Sequence, residues 1–266
     1  MNMKLNLENR VALITGATGG IGMAIATELF HQGAQVVLTG RNIEKLNTFQ
    51  AKLVASNTKN THHPISVPLD LTAIDAEQTL IARVIETCGR LDILVNNAGI
   101  VDGCMLLKTS KQYTDKMMHV NFTVPYNLSR YAIPHMTRNK YGRIISITSI
   151  AGYMGDAGMS AYAASKGALA SATKSIATEY GRRGITANCI APGVIETEVT
   201  KKMMPQHKEN MREQIPCRRF GKPEEVAYLV AFLASEYAAY INGQQIHING
   251  GLIRCIHTPH IIVGLF

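Results

Sequence analysis

The chain is 266 residues long, 46% hydrophobic and 17% charged, enough for a sizeable core and ordinary for a compact enzyme. Its net charge of +8 favours an acidic partner or ligand, but the basic residues are scattered and aromatics are only 6%, which argues against a nucleic-acid face. No run of about 18 apolar residues marks a membrane span. MNMKLNLENR lacks the apolar stretch of a secretory signal, so a cytoplasmic location is expected.

In chain order, RVALIT (10–15) reads as a buried strand, then a glycine-rich turn and a helix. In that helix Ile21, Ile25 and Leu29 recur at a four-residue step, and Gly33 stands where a C-cap belongs. QVVLTG (35–40) is a second strand, followed by a helix over about 42–56. ISVPL (65–69) is a third, with Pro68 marking its end or an edge. A helix across about 75–88 stops at Gly89, and DILVNN (92–97) is a fourth strand. RIISIT (143–148), ITANCIA (185–191) and QQIHIN (244–249) continue the series. Short apolar strands alternating with longer helices imply βαβ units and a parallel sheet buried on both faces. The expected fold is a doubly wound, Rossmann-like α/β sheet of about seven strands with helices on both faces, forming one domain over 1–266.

The five cysteines (Cys88, Cys104, Cys189, Cys217, Cys255) show no CxxC spacing, and His62-His63 has no HExxH companion. Reduced thiols and no metal site are expected.

TGATGGIG (15–22) joins the first strand to the first helix. Gly16 suits a tight turn, Gly20 the close approach of backbone to a phosphate, and Gly22 tight helix–sheet packing. The helix N-terminus offers free N–H groups to a pyrophosphate. Glycines gather in turns of every kind, so the context decides. A dinucleotide site places an acidic residue about 20 positions on, but here LTGRN supplies Arg41. A guanidinium pairs with the 2′-phosphate that a carboxylate would repel, so NADP(H) is expected over NAD(H). A solvated Arg41 is the alternative. Further on, SAYAASKGALAS (160–171) carries Tyr162 and Lys166 on one helical face. A nearby ammonium is expected to lower the phenol's pKa from about 10; a plain surface pair is the alternative.

TGATGGIG, NNAG (96–99), Ser149 and Tyr162-x-x-x-Lys166, in that order, make residues 8–252 resemble the short-chain dehydrogenase/reductase family. The resemblance implies hydride transfer from a reduced nicotinamide to a carbonyl carbon. Tyr162 would donate the proton, Ser149 would hydrogen-bond the substrate oxygen, and Lys166 with Asn121 (in HVNF) would support a proton relay. Ser149 and Tyr162 thus form the implied substrate site. Implied cofactor contacts are Gly16, Thr18, Gly20, Ile21, Gly22, Asp70, Leu71 and Asn97, with Tyr162 and Lys166. Ile195 and Thr197, in PGVIET (192–197), would lie over the nicotinamide. Asp70 and Asn97 read alone as turn caps. A homotetramer paired through helices near 122–138 and 160–180 is also implied.

YGRIISITSIAG, RGITANCIAPGVIETEVT and the stretch ending in QQIHINGG are most similar to 3-oxoacyl-[acyl-carrier-protein] reductases of fatty-acid synthesis. That likeness implies an acidic acyl carrier protein as partner, docked at Lys140 and Arg183. After NNAG, however, this chain runs IVDGCMLL where that subfamily has a Thr-Arg-Asp stretch. A sibling acting on acetoacetyl-CoA, a sugar or a small alcohol or ketone stays open, as does a non-catalytic nucleotide-binding scaffold. The segment 197–221 breaks the βα rhythm and is expected to be a substrate lid, its methionines lining a pocket or packing helix faces. The tail 252–266 is expected either to pack on a neighbouring subunit or to lack order.

Overall fold

The computed structural model describes residues 5–57, 60–201 and 203–253, so most of the expected tail lies outside the described residues. Seven strands form one parallel sheet: β1 (Val11–Thr15), β2 (Gln35–Gly40), β3 (Ile65–Pro68), β4 (Ile93–Asn96), β5 (Gly142–Ile147), β6 (Ile185–Pro192) and β7 (Gln245–Ile248). Their order is β3-β2-β1-β4-β5-β6-β7. The helices are α1 (Gly20–His31), α2 (Ile43–Ser56), α3 (Ala76–Cys88), α4 (Lys111–Met118), α5 (Val124–Asn139), α6 (Ala151–Met154), α7 (Ser160–Tyr180), α8 (Glu198–Lys201), α9 (Pro205–Gln214) and α10 (Pro223–Ala234).

Strand alternation explains why both faces are covered. On one face Ala12, Ile14, Val36, Leu38, Ile93 and Val95 pack with α1, α2 and α10. On the other, Val11, Leu13, Val37 and Leu94 pack with α3, α5 and α7. Both sets of strand residues are therefore apolar, as the near-continuous hydrophobic runs predict. The short β3 lies at one edge and ends at Pro68, whose ring cannot donate to a ladder.

Several boundaries follow local chemistry. Asn42 caps α2, its side chain accepting from the Lys45 N–H at 2.8 Å. Gly89, at φ 72°, closes α3 by donating to the Ile85 carbonyl. A π-helical turn, His119–Thr123, between α4 and α5 was not expected from the sequence. Neither were α6, α8 and α9. The expected lid is thus partly helical, and it returns to the fold where Ile195 bridges Gly221.

β1 pairs with both β2 and β4, so the winding reverses between β1 and β4. In such sheets the crevice outside the strands' carboxyl ends at this reversal receives ligands. It is bounded here by the turn after Thr15 and by Asn96-Asn97. Among the described residues, no helix is long and apolar enough to cross a membrane.

Candidate active site

The glycine turn is built as the spacing requires. Gly16 sits at φ 65°, in the left-handed region that favours glycine. A Cβ on Gly22 would overlap the Gly16 carbonyl oxygen, and one on Gly20 would come within 3.3 Å of the Thr197 methyl. Helix α1 starts at Gly20 with no side-chain cap, so its leading N–H groups are not taken by a capping side chain. These residues suit a phosphate-bearing dinucleotide.

Asn97 is placed against this turn. Its amide donates to the carbonyls of Thr15 (2.8 Å) and Gly16 (3.2 Å). Thr15 replies: its hydroxyl accepts from the N–H groups of Asn97 and Ala98 at 3.0 and 2.9 Å and donates to the Val95 carbonyl. Thr15 therefore ties β1 to β4 across the reversal, a role the sequence reading missed. A polar residue ending a buried strand was the available signal.

At the ends of β2 and β3, Arg41 and Asp70 are near enough for the guanidinium to help hold the Asp70 carboxyl below its ordinary pKa. The larger causes are hydrogen bonds from Thr72, whose N–H and hydroxyl reach Asp70 Oδ1 at 2.9 and 2.8 Å. Asp70 thus makes a tight local turn, with Leu71 inside it. Arg41 is exposed and, among the described residues, makes no hydrogen bond or ion pair. Thr18 lies against Gly40, Ile21 follows the first residue of α1, and Ile195 is buried against Gly221 just before α8.

Tyr162 and Lys166 are 8% and 5% exposed on α7, so this pair is not a surface contact. Tyr162 packs with Met117 and Ala161, against Ile100, Tyr113, Ala151 and Met159. The expected lowering of its pKa by the ammonium is not what the structure gives. Burial raises the phenol, and the nearby Ser149 hydroxyl is the counterweight. Lys166 stands 6.0 Å from the Tyr162 ring centre and directs its Nζ to the Ile147 carbonyl at 2.9 Å. Burial lowers the Lys166 pKa to about 8. Ser149 follows β5, and its Oγ also accepts from the Ala151 N–H at 3.1 Å.

Asn121 lies in the π-helical turn and is fully buried. Its Oδ1 accepts from the Ile100 N–H at 2.8 Å and its Nδ2 donates to the Ile100 carbonyl at 2.9 Å. Gly99 is close-packed as well: a Cβ there would sit 3.3 Å from Lys166 Nζ and 3.0 Å from Asn121 Oδ1. Ser149, Tyr162, Lys166, Asn121 and the NNAG loop are therefore brought together at the carboxyl edge. Lys140 and Arg183 are not. They share the opposite edge, where Lys140 precedes β5 and the Arg183 turn precedes β6, with Gly184 packed against the Lys140 carbonyl.

A family model described as enoyl-(acyl carrier protein) reductase matches residues 16–253. The 3-oxoacyl-[acyl-carrier-protein] reductase FabG of Rickettsia bellii is 41% identical over 94% of this chain and 99% of its own. The chain belongs to the short-chain dehydrogenase/reductase family. It is accordingly an oxidoreductase acting on CH–OH and C=O groups. Nodulation protein G of a Rhizobium species is 43% identical over 92% of this chain and 98% of its own. A solved structure provisionally described as a gluconate dehydrogenase from Agrobacterium tumefaciens superposes with a TM-score of 0.89 at 28% identity, covering 94% of this chain and 98% of that one. The reductase and gluconate dehydrogenase descriptions name different substrates, and Nodulation protein G names none.

Proposed function

We propose that this enzyme uses NADPH to reduce a 3-oxoacyl thioester, carried on an acyl carrier protein, to the 3-hydroxyacyl form during fatty-acid synthesis. The observation that carries this reading is the gathering of Ser149, buried Tyr162 and buried Lys166 beside the Gly99–Ile100 loop at the carboxyl edge, with the Ser149 hydroxyl close enough to Tyr162 to lower its pKa. It places two hydroxyls where both can serve one substrate oxygen. The bound dihydronicotinamide supplies the hydride. Ser149 orients and polarises the carbonyl. Tyr162 holds its proton until the alkoxide develops; an alkoxide is a far stronger base than a phenolate, so transfer is downhill even from a phenol raised by burial. Lys166, one helical turn away, offsets the phenolate's charge while protonated. The Asn121 side chain is occupied by Ile100, which fits a supporting role better than proton carriage.

Arg41, exposed at the end of β2 and making no hydrogen bond or ion pair among the described residues, supports NADPH over NADH. The apolar residues around Tyr162, with Met105, Leu106 and Leu107 exposed on the neighbouring loop, favour an acyl chain over a polyol. The FabG relatives agree with this choice. The test is a comparison of acetoacetyl carrier protein, acetoacetyl-CoA, crotonyl thioester and gluconate, with NADPH or NADP+ as each requires. Fast NADPH oxidation with the two 3-oxo thioesters, led by the carrier-bound one, is expected. Preference for gluconate, or for the enoyl thioester, would overturn the assignment.

A further inference from the structure

Ser165 has no part in the reading above, yet it is 0% exposed and touches both halves of the site. Its Oγ donates to the Tyr162 carbonyl at 2.7 Å and accepts from Asn121 Nδ2 at 3.2 Å. A hydroxyl has one proton. Donating it to Tyr162 leaves only lone pairs facing Asn121.

That constraint selects one orientation of the Asn121 amide. One Nδ2 hydrogen goes to the Ile100 carbonyl, and the other is shared between Ser165 Oγ and Met117 Sδ, 3.1 Å away. Turning the amide over would set Oδ1 against the Ser165 lone pairs and Nδ2 against the Ile100 N–H. Both contacts would be repulsive. The correct orientation holds Ile100 by two bonds, and Ile100 follows Gly99, where a Cβ would crowd both Asn121 and Lys166. A chain of contacts thus runs from α7 through Ser165 and Asn121 to the loop after β4, and back to Lys166.

We infer that Ser165 is a positioning residue that locks the Asn121 amide and so holds the Gly99–Ile100 segment in register with Tyr162 and Lys166. Its kinetic readout rests on the reduction proposed above; its structural readout does not. The Tyr162 carbonyl keeps its helical partner without the Ser165 hydroxyl, so Ser165→Ala should still form α7.

In the full-length enzyme, Ser165→Ala should lower kcat for NADPH-dependent acetoacetyl-CoA reduction by about 10- to 100-fold, the scale of a small misplacement of reacting groups. KM should stay within about threefold, and the alkaline limb of the kcat–pH profile should move. Hydrogen exchange at the Ile100 amide should accelerate by about tenfold or more as its acceptor loosens. Ser165→Thr, which keeps the hydroxyl, should recover most of the rate. If its methyl prevents folding, Ser165→Cys, near in size with a weak donor and acceptor, should fall between wild type and Ala. Adding Asn121→Ala to Ser165→Ala should cost little more, because both break one link. A Ser165→Ala enzyme whose kcat and pH profile match wild type per folded molecule would overturn the inference, as would unchanged Ile100 exchange or fully multiplicative losses. A wild-type enzyme inactive on thioesters would overturn the proposed function instead, leaving Ile100 exchange to decide the role of Ser165.

Discussion

Lys166 carries an ammonium into a site that is almost closed to water, and its pKa falls from an ordinary 10.5 to about 8. Between those values the unfolded chain binds the proton and the folded one does not, so this group makes stability rise with pH across that window. Below about 8 the full burial cost is present. Lys166→Met should therefore stabilise the protein near neutral pH by roughly 2 kcal/mol, after allowing for the lost bond to Ile147. Urea denaturation should show that advantage shrinking as pH rises from 8 to 10.5. A variant less stable than wild type at pH 7 would contradict this. Turnover should be lost in the variant, and wild-type reduction should decline above about pH 8 as Lys166 deprotonates. The spacing of Tyr162 and Lys166 was legible in the sequence because four residues make one helical turn. The direction of the phenol's pKa was not. It depends on burial by Ile100, Tyr113 and Met117, which lie far away in the chain.

Among the elements, the alternation of apolar strands and longer helices was readable because both faces of the sheet are covered. The irregular pieces were hidden. The π-helical turn at 119–123 depends on Asn121 reaching Ile100, a contact between distant segments that no local pattern announces. Such turns occur disproportionately at functional sites. The lid's return to the fold is likewise a matter of pairing. Arg219 reaches both carboxylate oxygens of Glu225 at 2.7 Å, while Glu225 accepts from the Lys222 N–H, also at 2.7 Å, at the start of α10. The Arg219 bond leads the causes that hold the Glu225 carboxyl down at about 2. Its contribution is present above an ordinary 4.5 and is lost as pH falls toward 2. Because the pair is partly exposed, Glu225→Gln should cost only roughly 1 kcal/mol at pH 7. Thermal melts should show the gap between wild type and variant narrowing below an ordinary 4.5 and closing only as pH falls toward 2; equal stability at pH 7 would remove this tie from the account.

At the scale of the whole molecule, the two basic positions expected to meet a carrier protein lie at the edge opposite the catalytic groups. Six residues of β5 separate Lys140 from the Ser149 end, roughly 20 Å at strand rise. A carrier docked at Lys140 and Arg183 would therefore have to bridge that distance to reach the catalytic groups of the same chain. The motif match could name the residues, but only the sheet's polarity reveals which edge they occupy. Charge reversal of both, Lys140→Glu with Arg183→Glu, should lower kcat/KM for carrier-bound substrate about tenfold more than for the CoA thioester. An equal effect on both substrates would exclude docking there. The central claim is that Tyr162 delivers the proton during NADPH-dependent reduction of a 3-oxoacyl thioester. It is tested most directly by following NADPH oxidation with acetoacetyl carrier protein in wild type and Tyr162→Phe, with NADPH binding measured alongside. The variant should bind NADPH normally and turn over about 10²- to 10⁴-fold more slowly. Turnover at the wild-type rate would contradict the account.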